Sequence, residues 1–234
     1  MSSAEELDAS AYTLGAGRLS AAGATGAEIT ATGSADLGDS GSDHTGFGDV
    51  WNSDAMTQTT EVFVDGLSAA AQKSSGINLW VMDPAERTYK IVTDTALDRE
   101  VWGLGTKGHA AWQVRSAETP GDRRTHLPMT NLGFSVDTAL DGTVKAGRRL
   151  PVGIDAEYVV GASGTGTVTA GALAVSYDRG RSWTQVALRN KGASWTGALS
   201  VPRSADSVSL RASVRDDQGG AVTQVLTDAL DVRR

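Results

Sequence analysis

The last hundred residues place the strongest constraint on the fold. Seven short runs rich in β-branched and apolar residues recur there: Gly133–Val136, Pro151–Tyr158, Gly171–Tyr177, Thr184–Arg189, Ser194–Leu199, Ser207–Arg215 and Val222–Asp228. Turn-forming Gly, Asp and Asn separate them. Within Ser207–Arg215 the apolar residues Val208, Leu210, Ala212 and Val214 fall on every second position, so an extended chain buries one face and wets the other. Seven strands of this kind over about 100 residues predict an immunoglobulin-like or fibronectin-like β-sandwich.

The middle of the chain is also β-rich. Strands are expected at Thr59–Val64, Ile77–Met82, Thr88–Thr93, Glu100–Leu104 and Ala110–Arg115, with Asp83–Arg87 as a hairpin loop whose Pro84 presets a turn. Leu67–Lys73 alone has helical composition there. Upstream, Ser2 or Ser3 ahead of Glu5 and Glu6 reads as a helix start, and Arg18–Ala22 as a second helical stretch after the Gly15-Ala16-Gly17 break. Helices this short are marginal alone, so they read as the end of something larger. From Gly33 to Asp54 the Gly, Ser and Asp content is too polar to form a core, which predicts a linker. The expected organisation is a helical remnant at 1–24, an acidic linker at 25–57, a Trp-containing β region at 58–126 and a sandwich at 127–234.

Charge and cysteine content exclude several functions. Residues 1–66 hold eleven acids against the single base Arg18, and the remaining 168 residues carry twenty bases and seventeen acids. Nothing here supplies the concentrated basic face that nucleic acid requires, and no apolar run approaches the ~20 residues of a membrane span. No leader with a basic start and an apolar stretch opens the sequence, which leaves a cytoplasmic product open. The absence of cysteine removes disulfides, thiolate-bound metals and thiol nucleophiles. No other cofactor is expected, except that Asp36, Asp39 and Asp43 are weak candidates for Ca²⁺. Their spacing lacks the EF-hand order, and a solvated acidic linker explains them.

The most specific motif is Ser176-Tyr177-Asp178-Arg179-Gly180-Arg181-Ser182-Trp183, which has the Asp-box spacing Ser-x-Asp-x-Gly-x-x-Trp. Asp178 can accept backbone N–H groups of its own turn, Gly180 can adopt positive φ, and Trp183 can fold back on the hairpin. A single copy predicts a structural turn built on Ser176, Asp178, Gly180 and Trp183; the other reading is a glycan site. Three histidines, His44, His109 and His126, are present, with His109 expected in a loop, and no Gly-x-Ser-x-Gly accompanies them, so no catalytic residue is expected. Trp80, Trp102 and Trp112 read as core residues, and Arg123-Arg124 and Arg148-Arg149 as solvated surface.

Two segments carry a resemblance. Met1-Ser2-Ser3-Ala4-Glu5 followed by Tyr12-Thr13-Leu14-Gly15-Ala16-Gly17-Arg18-Leu19 resembles the end of the catalytic domain of subtilisin-like serine proteases, where Met1 would correspond to an interior methionine. Leu127-Pro128-Met129 with Val136-Asp137, then Val175–Trp183 and Ser207–Asp216, resembles the carboxy-terminal β domain of large secreted actinobacterial subtilases. The resemblance implies a non-catalytic accessory region of an extracellular protease. Its partners would be a protease catalytic domain, a polymer or a cell-surface glycan. The family's catalytic Asp, His and Ser segments all precede the part that Met1 onward resembles, so no position here matches them. The rival expectation is a secreted carbohydrate- or surface-binding β module built on the Asp box and the tryptophans.

Overall fold

The computed structural model describes residues 18–21, 27–32, 56–73, 76–81, 85–98, 100, 104–117, 124–139, 142–159 and 162–234. These residues form strands joined by turns. The first eight strands are β1 (Arg18–Ala21), β2 (Ala27–Thr32), β3 (Met56–Val64), β4 (Leu67–Gln72), β5 (Gly76–Val81), β6 (Arg87–Leu97), β7 (Lys107–Ser116) and β8 (Arg124–His126). There follow β9 (Thr130–Val136), β10 (Thr143–Lys145), β11 (Arg149–Tyr158), β12 (Val168–Ser176), β13 (Thr184–Val186), β14 (Arg189–Lys191), β15 (Ser194–Ser200), β16 (Ser207–Asp216) and β17 (Ala221–Arg233).

A mainly β protein with a carboxy-terminal β-sandwich results. One layer is the four-stranded sheet β14-β15-β11-β9, and the facing layer is the β13-β12-β16-β17 part of a nine-stranded sheet. Alternation decides which side chains meet: Leu132, Phe134 and Val136 of β9 and Val152, Ile154 and Ala156 of β11 are buried, as are Leu173, Val175, Leu210 and Leu230 from the other layer. They belong to one continuous core. Gly171 of β12 leaves room for the Trp195 indole of β15, since a Cβ there would come within 2.5 Å of it. The strand expected over Thr184–Arg189 is two strands, because the chain passes at Ala187-Leu188 from one sheet to the other.

The nine-stranded sheet does not stop at β17. Its order continues as β7-β6-β3-β4, with Ala221 to Thr227 of β17 antiparallel to Gln113 to Lys107 of β7. The backbone ladder therefore runs across the expected division at residue 126. Core residues of this half, Val62, Tyr89, Ile91, Trp112 and Val114, are continuous with the sandwich core. Buried Trp112 adds a directional tie, its Nε1 donating to the Thr130 carbonyl of β9 at 2.9 Å. A further four-stranded sheet, β5-β2-β1-β8, places Ile77 in the same core.

Three expectations need correction. Leu67–Lys73 is not helical: β4 forms an antiparallel hairpin with β3 across Asp65-Gly66, both at positive φ (49° and 83°). Such a turn matches the twist of paired strands and overrides the propensity of a short Ala-rich segment. Arg18–Ala21 is strand β1, paired with β2 and β8, not the helix expected over Arg18–Ala22. Ala27–Thr32 within the expected linker is β2, hydrogen-bonded between β1 and β5. For β1 and β4 neighbouring strands supply the hydrogen bonds that a short helix would have had to make alone. The helix expected at the amino end before residue 18 and most of the acidic linker lie outside the described residues.

Replacing Trp112 by Phe keeps an aromatic side chain in the core but removes the indole N–H that the Thr130 carbonyl accepts, and leaves a small cavity where the second ring stood. A loss of about 1–3 kcal/mol in unfolding free energy is expected from urea titration. Unchanged stability would show that the bond does not tie β7 to β9.

Candidate functional site

The Asp box closes the turn between β12 and β13. Ser176, fully buried at the end of β12, donates from Oγ to Asp178 Oδ1 at 2.7 Å, and the same hydroxyl oxygen accepts the Gly180 N–H at 2.8 Å. Asp178 accepts the Ser182 N–H at 2.8 Å and the Ser182 hydroxyl at 2.6 Å. Arg179 and Gly180 adopt φ of 60° and 85°, the left-handed conformation that lets these groups converge. The Trp183 ring folds back beside Gly180, within 3.4 Å of where a Cβ would stand. The hydrogen bonds from the Ser182 hydroxyl, the Ser182 N–H and the Ser176 hydroxyl hold the Asp178 carboxyl down at about 2, from an ordinary 3.8.

Other elements hold the turn from outside. Tyr177 donates its hydroxyl to the Ser200 carbonyl of β15 at 2.7 Å, and burial pushes its ionisation up. The Arg211 guanidinium of β16 lies over the Trp183 ring, 4.6 Å from the centroid. Arg179 Nε reaches Asp228 Oδ2 at 3.2 Å. The four box residues thus come together, and the Ser176 hydroxyl and the Asp178 carboxylate bond within the turn.

Asp228 is the residue that sequence reasoning missed. It is buried inside β17 at φ 53°, where the pairing with β16 shifts register. Its carboxylate accepts the Ser207 hydroxyl at 2.5 Å, its N–H donates to Ser209 Oγ at 3.0 Å, and its carbonyl accepts the Gly105 N–H at 2.9 Å. An Asp at the end of an otherwise apolar alternation, in Val225-Leu226-Thr227-Asp228-Ala229-Leu230, was the available signal. A comparable clamp lies at the β16–β17 turn, where Tyr158 donates its hydroxyl to Asp216 at 2.7 Å and accepts the Gly166 N–H at 3.0 Å. Burial, followed by the bond to Asp216, pushes the Tyr158 phenol up to about 12.

The remaining candidates separate. His109 lies in strand β7 rather than in a loop, opposite Asp94 of β6, with Nδ1 2.8 Å from Asp94 Oδ1. Thr59 and Val225 flank this half-exposed pair in register, so no serine stands in its row. Trp112 is core, as expected. His44, Trp102, Asp36, Asp39 and Asp43 lie outside the described residues, and nothing is described of the Trp80 and His126 side chains. Among the described residues, no three His, Asp or Glu side chains cluster in a way that could hold a metal ion. Among them, too, no helix is long and apolar enough to cross a membrane.

No family model and no curated protein matches the chain. Among solved structures, it is similar to fibronectin(III)-like modules of Clostridium thermocellum CbhA, with 11% identity and a TM-score of 0.30 over 77% of this chain and 82% of that one.

Two outcomes test the geometry. The Asp178 carboxyl is expected to titrate near 2 by NMR, below its unfolded value. Its contribution to stability is then complete above about pH 4 and lost as pH falls towards 2; a midpoint near 4 would contradict the bonded turn. Asp228→Ala strands the buried Ser207 hydroxyl and removes the carboxylate that Arg179 reaches, and is expected to cost about 1–3 kcal/mol in urea unfolding. A neutral substitution would show that the node carries no load.

Proposed function

We propose that this chain is the non-catalytic accessory region of a secreted subtilisin-like serine protease, working outside the cell as a rigid β module beside the catalytic unit. The observation that carries this reading is the direction of the polar groups in the Asp box. Asp178, Ser176 and Ser182 bond one another, while Tyr177, Arg179 and Trp183 attach the turn to β15, β17 and β16. A motif engaged in this way stiffens a hairpin. The sequence resemblance supplies the protease, whose catalytic segments would lie upstream of the part that Met1 onward resembles.

The rival, a carbohydrate-binding module using the Asp box and the tryptophans, calls for free aromatic faces. Trp112 and Trp195 are instead packed in the core, and Arg211 covers a face of Trp183. Buried rings favour the accessory role over a sugar-stacking platform.

The purified chain is expected to hydrolyse neither casein nor p-nitrophenyl esters, and to pass unretained over cellulose and chitin. Turnover that a serine-directed inhibitor removes would overturn the non-catalytic assignment. Retention on a neutral polysaccharide that Trp183→Ala abolishes would establish the rival.

A further inference from the structure

A second constellation lies away from the Asp box, where β10 and the start of β11 meet the end of β17. An open cleft of about 350 Å³ is lined there by Asp137, Thr138, Lys145, Arg148, Arg149 and Arg233. The fold assembles it from three strands. Gly147, at φ 71°, reverses the chain between β10 and β11, so that Lys145 and the pair Arg148-Arg149 stand on either side of one tight turn. That turn is fixed at both ends: the Gly147 N–H donates to the Val201 carbonyl, and the Val201 N–H donates to the Arg148 carbonyl, each at 2.9 Å. The Ala146 N–H donates to the Arg233 carbonyl at 2.9 Å and brings in the end of β17.

Among the described residues, four cations therefore line one opening with one carboxylate, Asp137. Lys145, Arg148 and Arg149 are exposed and form no ion pair among the described residues, whereas Arg87, Arg115, Arg179 and Arg234 each have a carboxylate partner. Like charges held together by a pinned backbone repel one another, and an incoming anion relieves that repulsion. Outside the lining, Asp231 stands opposite Thr143 in the β10–β17 ladder. The volume lies within the range of small-ligand sites, at its lower end.

The rest of the lining indicates what carries the anion. Thr138 and Asp137 offer a hydroxyl and a carboxylate, which suit the hydroxyl groups of a sugar, and Ala139 and Leu150 offer aliphatic surface for its C–H faces. No aromatic ring lines the cleft among the described residues, so the stacking platform usual for single-stranded nucleic acid is missing. We propose that this cleft binds an anionic polysaccharide, with Arg148, Arg149 and Lys145 holding its acid groups and Asp137 and Thr138 its hydroxyls. The site does not depend on the protease resemblance, and its failure would leave the accessory role intact.

Affinity electrophoresis of the full chain tests it, with polygalacturonate, inorganic polyphosphate or neutral dextran cast in the gel. Retardation by polygalacturonate and not by dextran is expected. Arg148→Gln/Arg149→Gln should weaken it about tenfold or more, as loss of charge-assisted hydrogen bonds implies. Arg189→Gln/Lys191→Gln removes the same charge from exposed β14, outside the cleft, and should change binding less than about twofold. All these positions are exposed, and equal urea midpoints will confirm that the variants fold. No retardation by polygalacturonate, or equal loss in both variants, overturns the site. Tighter retardation by polyphosphate with the same loss in the cleft variant also overturns the sugar-acid assignment and moves the ligand to a phosphate polymer.

Discussion

Strand β17 has to satisfy three neighbours, and the rest of the structure depends on how it does so. One edge pairs along β16, while the other pairs first with β7 in antiparallel fashion and then with β10 in parallel fashion. No regular strand can change partners without a local break in its ladder. Asp228 supplies the break at φ 53°, and its freed backbone groups go to Ser209 Oγ and Gly105 N. Buried N–H and C=O groups left unpaired would each cost about 1–3 kcal/mol, so the side-chain hydroxyl and the loop amide are what make the switch tolerable. The consequence is one sheet shared by the sandwich and the region before it.

That arrangement explains why the polar residues in the sandwich are mostly structural. Asp178 holds a turn, Asp228 a strand irregularity, and Asp216 both Tyr158 and its own turn through the N–H groups of Gln218 and Gly220. Of the three, Asp178 is held as an anion by the bonds it accepts from Ser182 and Ser176. At the β10–β11 turn, Lys145, Arg148 and Arg149 form no ion pair among the described residues, and there three exposed cations converge on one cleft.

Much of the fold was legible because burial in a sheet imposes a period of two. The sequence predicts β6, β7, β9, β11, β12, β15, β16 and β17 within a few residues, and the Asp-box spacing over Ser176, Asp178, Gly180 and Trp183 falls at the turn between β12 and β13. β4 was misread because Ala-rich segments suit helix and strand alike, although Asp65-Gly66 was a hairpin signal in plain view. β1 and β2 are short, and their pairing partners β5 and β8 lie roughly fifty to a hundred residues away. Only the β1–β2 pairing is local. The cleft was missed for the same reason: Arg148-Arg149 reads as surface until β10 and the end of β17 are placed beside it.

The sequence by itself determined a β protein, the sandwich alternation, the Asp-box turn and the absence of thiol chemistry, because each follows from residue type and short-range spacing. Only the tertiary structure decided that β7 joins β17, that Asp228 is buried at the junction, and that Lys145, Arg148, Arg149 and Arg233 share one opening. Those facts depend on hydrogen-bond ladders between strands far apart in the chain. Residue periodicity says which face a strand buries, but it carries no information about which distant edge that strand will meet.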